Sequence, residues 1–333
     1  MVKAFVFGKF LPFHKGHEAM INFALTNCDF LTVLICCSDK EIISPIKRQK
    51  WLEMTFENES KLEVKVFCYS ESELPNTSNS SLEVSNVWSV KFQELFPDYD
   101  LLITSEEYGN YVASFMGIKH IAFDVHKQFF PVSATSIRND IFKNWNFLPN
   151  SVKPSYAFKV VILGTESTGK TTLTERLAKY FNCSSVSEAG RDLIVNSNSF
   201  DFYDLNLVAL EHAKRIDNAV LKDSPLVIID TDVHITKSYA NFMFDRTLDI
   251  ENEIYNSNKA HLYLYLNNDV EYIQDGTRLG KYERDLLDIS HRKILTEHNI
   301  NIVEIKGDWD SRFINSIEHI NKLIATHEQK LKA

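Results

Sequence analysis

Short runs rich in β-branched and aromatic residues alternate along the chain with longer amphipathic stretches. Residues 2–7, 30–35, 64–68, 101–104 and 119–123 predict strands, and the pattern resumes at 158–163, 226–229, 262–266 and 302–305. Between them apolar residues recur at helical spacing: Met20, Ile21 and Ala24 after His17, and Leu173, Leu177 and Phe181 after Lys170. Strands alternating with helices predict an α/β protein with parallel sheets. Residues 147–154 carry Pro149 and Pro154 and separate two blocks that each begin with a strand, so the expected domains are 1–150 and 155–330. No internal repeat relates them, which points to two different folds. The Ser/Asn-rich stretch 76–86 predicts a surface loop.

Bulk properties narrow the class. The 333 residues suffice for two domains with cores, and 44% apolar content with 23 Phe argues for a folded chain. A formal charge of −9 removes any global attraction to nucleic acid or an anionic membrane, so small molecules are the expected partners; a homo-oligomer is compatible. The five cysteines (Cys28, Cys36, Cys37, Cys68, Cys183) form no Cys-x-x-Cys pair, which disfavours a disulfide framework or zinc site and suits a reducing compartment. Residues 1–7 turn polar too soon for a signal peptide, and no run reaches transmembrane length; the expected location is cytoplasmic.

Two stretches carry phosphate chemistry. The first strand exits into Gly8-Lys9-Phe10-Leu11-Pro12-Phe13-His14-Lys15-Gly16-His17. A glycine at a strand exit lets backbone approach a ligand, and a helix N-terminus attracts phosphate through its free amides and dipole. His14 and His17 can donate to phosphate oxygens as charge builds during loss of pyrophosphate. A second part of this ATP site is read at Ser133, Thr135, Ser136 and Arg138, where hydroxyls cap a helix and Arg138 can hold the leaving pyrophosphate. The bland alternative, two ordinary half-buried histidines, does not account for the combined spacing, strand context and Arg138.

The second stretch, Gly164-Thr165-Glu166-Ser167-Thr168-Gly169-Lys170-Thr171-Thr172, is a full Gly-x-x-x-x-Gly-Lys-Thr loop between a strand and a helix. Its amides cradle phosphates, Lys170 reaches the β and γ oxygens, and Thr171 can ligate magnesium. Strand 226–229 ends in Asp230-Thr231-Asp232, where either carboxylate can serve the metal or act as base toward an acceptor hydroxyl; the assignment adopted is Asp230 for the metal and Asp232 as catalytic. Asp275-Gly276-Thr277-Arg278 and Arg284 read as a lid that brings Arg278 over the phosphates of the second ATP.

The first pair of motifs resembles the nucleotidylyltransferase superfamily of His-x-Gly-His and Ser-x-Thr-x-x-Arg enzymes, which implies a Rossmann-like domain and direct adenylyl transfer. The two ATP sites in this order resemble the NadR-type bifunctional family, a nicotinamide mononucleotide adenylyltransferase fused to a P-loop ribosylnicotinamide kinase. Matching stretches include Val87-Trp88-Ser89, Thr104-Ser105-Glu106-Glu107, Gly190-Arg191-Asp192 and Asp310-Ser311-Arg312-Phe313. The resemblance implies ATP as co-substrate, Mg2+ as cofactor and two reactions: nicotinamide riboside is phosphorylated, and the mononucleotide is adenylylated to NAD. It implies that Trp88 and Asn86 meet the mononucleotide, Trp88 offering a flat face to a cationic pyridinium unless it is simply core. It also implies that Glu188, Arg191 and Asp232 surround the riboside, with Tyr203 the candidate ring to stand in for the stacking aromatics that this chain lacks. Many members begin with a helix-turn-helix domain; here the catalytic strand starts at Val2, so repression through DNA is not expected. Where the family often reads Trp-Glu-Tyr-Gly-Arg, this chain has Ser187-Glu188-Ala189-Gly190-Arg191 and lacks both rings. Two other readings are thus open: a different nucleoside acceptor in the kinase, or a catalytically reduced sensor of NAD or ATP.

Overall fold

The structure is a computed structural model that describes residues 1–76, 81–194, 200–270 and 280–332. The chain divides into two compact units, Met1–Lys153 and Pro154–Ala333.

The first unit is built on β1 (Lys3–Gly8), β2 (Phe30–Ser38), β3 (Leu62–Tyr69), β4 (Leu101–Thr104) and β5 (Lys119–Ala122), ordered β3-β2-β1-β4-β5. Every pairing is parallel. β2 is buried from Leu31 to Ser38, as a near-continuous apolar run in a sheet covered on both faces requires. The edge strand β3 instead alternates half-buried with exposed positions over most of its length. Phe5 on β1 packs on Phe92 of helix Leu82–Leu95 and on Phe96, which caps that helix, with Phe5 and Phe96 rings 4.4 Å apart. Burial of each such side chain contributes roughly 1.5–3 kcal/mol. The chain winds from β1 outward to β3 and then crosses to β4, so the winding reverses between β1 and β4. In open α/β sheets the crevice at the carboxyl ends of such a strand pair is where ligands bind.

The Ser/Asn-rich stretch is not wholly a loop. Ser81 caps helix Leu82–Leu95 by accepting the Val84 amide at 3.2 Å, so a serine read as loop is a helix start. Residues 77–80 lie outside the described residues.

The second unit carries β6 (Phe158–Leu163), β7 (Ser184–Val186), β8 (Leu226–Asp230), β9 (Leu262–Leu266) and β10 (Ile302–Ile305), ordered β10-β9-β6-β8-β7 and again parallel. β7 escapes sequence reading because Ser-Ser-Val offers no apolar run; it forms by pairing its backbone with β8 from Ser184↔Val227 onward. Helices Lys170–Phe181, Asp204–Val220, Val233–Phe244 and Lys281–Glu297 flank this sheet. No helix among the described residues is long and apolar enough to cross a membrane.

Candidate functional site

In the first unit β1 ends at Gly8, and Phe10 takes a left-handed backbone (φ 51°) that turns its ring and that of Phe13 into the core. His14 then caps helix Lys15–Leu25: its Nδ1 accepts the His17 amide at 3.4 Å, which puts the imidazole proton on Nε2. The two rings stack 3.6 Å apart. Gly16 permits this, since a Cβ there would stand 3.1 Å from the His14 ring. Burial, reinforced by the charge of Lys127, pushes the His14 pKa down to about 3. Burial likewise holds His17 well below the usual histidine range, with His14 and Lys127 adding to it. Both rings are therefore neutral near pH 7, so what each can offer a ligand is an N–H rather than a positive charge. The buried Nδ1 of His17 has no hydrogen-bond partner among the described residues.

The second motif comes to the same place. Ser133 and Ser136 form a reciprocal capping box at the start of helix Ala134–Asn139. Arg138 donates to the Leu11 carbonyl and, at 3.3 Å, to Thr135 Oγ1, which ties this helix to the β1 exit loop. His14, His17, Thr135, Ser136 and Arg138 thus belong to one region. A residue missed in the sequence completes it. Arg48, fully buried on helix Pro45–Thr55, donates to the Lys9 carbonyl (3.0 Å) and the Cys36 carbonyl (3.5 Å) and pairs with Glu41 at 2.8 Å. It fixes the β1 and β2 exits to each other. Nothing in its local sequence marks it out from a surface arginine.

In the second unit the phosphate loop uses three positive-φ residues, Gly164 (140°), Ser167 (59°) and Gly169 (84°), so that successive amides turn inward. Lys170 is buried and its Nζ donates to the Thr165 carbonyl at 3.0 Å, a bond that a phosphate oxygen can replace. Thr171 Oγ1 donates to Asp230 Oδ2 at 2.5 Å, bringing hydroxyl and carboxylate together at the strand end. These hard oxygen donors suit Mg2+, which keeps several waters and needs few protein ligands. Thr172 follows on the first turn and lines a small pocket with Gly169, Leu173, Arg176, Leu266 and Trp309.

The rest of the Asp230-Thr231-Asp232 run is held by hydrogen bonds that bear on the base assignment. Asp232 caps helix Val233–Phe244, accepting the His234 and Ile235 amides, and its other oxygen meets His234 Nδ1 at 2.5 Å. His234 in turn contacts Tyr255 Oη at 3.0 Å. Asp232 is therefore a buried capping and pairing group. Thr231 is held in a left-handed turn (φ 72°), and its carbonyl lies 3.0 Å from His212 Nε2.

Glu188 and Arg191 pair at 3.2 Å. Tyr239 donates to Glu166 Oε1 of the phosphate loop at 3.4 Å. Burial, then the charges of Glu166 and Glu188, push its phenol well above its usual range. Glu188 and the phosphate loop thus bear on one ring, which the sequence did not single out. Tyr203, the ring proposed from sequence, is 69% exposed at the start of helix Asp204–Val220. Ala189 is fully buried, so a large aromatic side chain has no room there without displacing its neighbours.

Arg312, also missed, is the counterpart of Arg48. It is 1% exposed and donates at 2.8 Å to the carbonyls of Gly307, Thr168 and Asn267, and it pairs with Asp269. One guanidinium therefore joins the phosphate loop to the β9 and β10 exits. Trp309 packs so closely on Gly169 that a Cβ there would fall 2.3 Å from its ring. Truncating Arg312 would leave the buried Thr168 carbonyl without this donor, a loss of about 1–3 kcal/mol, while Asp269, 39% exposed, stays within reach of water. Arg312→Ala should lower the melting temperature of the second unit accordingly, with Arg312→Lys recovering only part because an ammonium cannot supply the fork. Thermal unfolding of the two variants checks this.

Two assignments stand apart. Trp88 is half-buried on helix Leu82–Leu95 against Phe67, Tyr69 and Phe92, its indole N–H donating to the Pro75 carbonyl at 3.1 Å. These are contacts of a core residue, while Asn86 on the same helix is exposed. Arg278 and the rest of 275–278 lie outside the described residues, whereas Arg284 is buried on helix Lys281–Glu297.

Residues 159–312 match the AAA domain family. The "Trifunctional NAD biosynthesis/regulator protein NadR" of Escherichia coli K12 is 28% identical over 344 residues, spanning 96% of this chain and 82% of its own. The protein of the same name from Salmonella typhimurium LT2 is 28% identical over 346 residues with the same coverage. Among solved structures, a NadR protein in complex with NR superposes with a TM-score of 0.68 at 20% identity, over 96% of this chain and 95% of that one. A NadR protein in complex with NAD and AMP-PNP gives 0.66 at 20% identity, over 97% and 96%. These two structures share the fold from end to end. Similarity in sequence to the two NadR proteins thus spans both units.

Proposed function

We propose that this chain makes NAD in two ATP-dependent steps: the second unit phosphorylates nicotinamide riboside, and the first transfers the adenylyl group of ATP to nicotinamide mononucleotide. The observation that carries the reading is the presence of two separately built phosphate cradles at the carboxyl ends of two parallel sheets, in a chain similar to proteins named for NAD biosynthesis.

In the first unit the mononucleotide phosphate attacks the α-phosphorus of ATP; one P–O bond forms, the α–β bridge breaks, and pyrophosphate leaves. Neutral His14 and His17, the amides at the start of helix Lys15–Leu25, and Arg138 stabilise the charge that develops. Gly8, Lys9 and Phe10 line the ATP, Ser133, Thr135 and Ser136 shape the opposite wall, and Asn86 and Trp88 are assigned to the acceptor nucleotide. In the second unit the riboside hydroxyl attacks the γ-phosphorus and ADP leaves. Gly164, Ser167, Thr168, Gly169, Lys170 and Thr172 hold the phosphates, and the adenine is assigned to the pocket under Trp309. Thr171 and Asp230 would hold Mg2+, which neutralises phosphate charge when bound. Glu188 and Arg191 are assigned to the riboside. The hydroxyl proton goes to Glu188 in preference to Asp232, whose oxygens are committed to the helix cap and His234.

The test is to measure ADP release with nicotinamide riboside and pyrophosphate release with the mononucleotide separately. Both should be found, and Glu188→Gln should lower ADP release by about 10²-fold or more with pyrophosphate release unchanged. ADP release only with an uncharged nucleoside would favour the changed-acceptor reading that Ser187 and Ala189 raise. An unaffected Glu188→Gln enzyme would return the base role to Asp232.

A further inference from the structure

We propose that Lys127 is a further catalytic residue of the first unit, a cation that binds the triphosphate of ATP and the departing pyrophosphate; this rests on the adenylyl-transfer reading above. The loop after β5 is built to present it. The Asp124 carboxylate accepts the amides of Gln128 (2.6 Å), Phe129 (3.2 Å) and Phe130 (3.0 Å), and the Asp124 carbonyl accepts the Lys127 amide at 2.8 Å. Asp124 and Lys127 both adopt left-handed backbone (φ 44° and 51°), conformations that L-residues hold only where the surroundings enforce them. The loop sets Phe130 beside Gly16, where its Cβ would be 3.5 Å from an added methyl, and Lys127 beside Glu106 just past β4. The ammonium therefore stands at the crevice between β1 and β4, next to the helix that carries both histidines.

Three features point to a polyanion as its ligand. First, the two histidines are neutral and bring no positive charge of their own, and the Lys127 charge is close enough to both rings to be one of the influences that keeps them so. Second, the Glu106 partnership is loose, 3.9 Å between side chains 43% and 48% exposed, and pairs of this kind hold little energy. Lys127 can exchange that carboxylate for a phosphate at small cost. Third, the buried Nδ1 of His17 has no partner among the described residues, on a ring that feels the Lys127 charge. In the reaction Lys127 keeps its proton. It neutralises charge moving onto the bridging and terminal oxygens of pyrophosphate as the α–β bond breaks.

The test compares Lys127→Ala and Lys127→Arg for pyrophosphate release from ATP and the mononucleotide, with ADP release by the second unit as a control for folding. The alanine variant should lose about 10²-fold in kcat/KM, and the arginine variant should recover most of it because the charge is retained. Equal activity of Lys127→Ala and the parent overturns the proposal. A second measurement is independent of the acceptor: titration calorimetry of inorganic pyrophosphate against Lys170→Ala protein with and without Lys127→Ala. Binding should weaken by about tenfold or more; unchanged binding again overturns it. If the parent releases no pyrophosphate with the mononucleotide yet the calorimetric difference persists, the adenylyl-transfer reading falls and the anion role of Lys127 stands.

Discussion

Lys170→Ala should abolish phosphorylation of nicotinamide riboside while pyrophosphate release from ATP and the mononucleotide continues at the parental rate. Lys170 is buried at the head of helix Lys170–Phe181, with its ammonium bonded, among the described residues, to the Thr165 carbonyl of its own loop. Such a lysine is poised to trade one neutral acceptor for phosphate oxygens, and Arg312 cannot take its place, being committed to three carbonyls and Asp269. Loss of charge stabilisation aimed at the transferring phosphoryl group costs about 10²–10³ in rate or more. Coupled assays of ADP and pyrophosphate check both halves of the expectation. Collapse of both activities in a folded variant would mean that the two phosphate sites are not independent.

His17→Ala should have the opposite effect, lowering adenylyl transfer by about 10²–10³ and sparing the kinase. The ring lies against His14, Phe10 and Phe13, in the first turn of helix Lys15–Leu25. Because burial keeps it neutral, its contribution is a directed N–H rather than a charge. His17→Asn, which retains a side-chain N–H, should therefore keep more activity than His17→Ala. Steady-state pyrophosphate release from the two variants decides this; identical residual rates would assign His17 to packing alone.

Both candidate phosphate sites could be proposed from the sequence because each motif is local. His14, Gly16 and His17 span one turn, and Gly164 to Thr171 span one loop between a strand and a helix, so spacing alone sets their geometry. The parallel strands were legible for a related reason: β2 and β8 are buried on both faces and read as apolar runs. What spacing does not encode is long-range closure. Arg48 reaches the Lys9 carbonyl from 39 positions away, and Arg312 reaches the Thr168 carbonyl from 144. β7 exists only through its pairing with β8. Asp232 shows the converse limit. Its place at a strand end suggested a base, yet the same place begins a helix, and the cap together with His234 takes up its oxygens. Tyr239, which nothing in its local sequence marks out, is brought to Glu166 of the phosphate loop across 73 positions.

The central claim is that one chain carries nicotinamide riboside through to NAD. Chromatography of products over time, after mixing the protein with nicotinamide riboside, ATP and Mg2+, tests it most directly. The mononucleotide should appear first and then be drawn down as NAD rises, with one ADP released per mononucleotide formed and one pyrophosphate per NAD. A riboside peak that stays constant while added mononucleotide is converted to NAD, or a mononucleotide that accumulates with no NAD, would contradict the account.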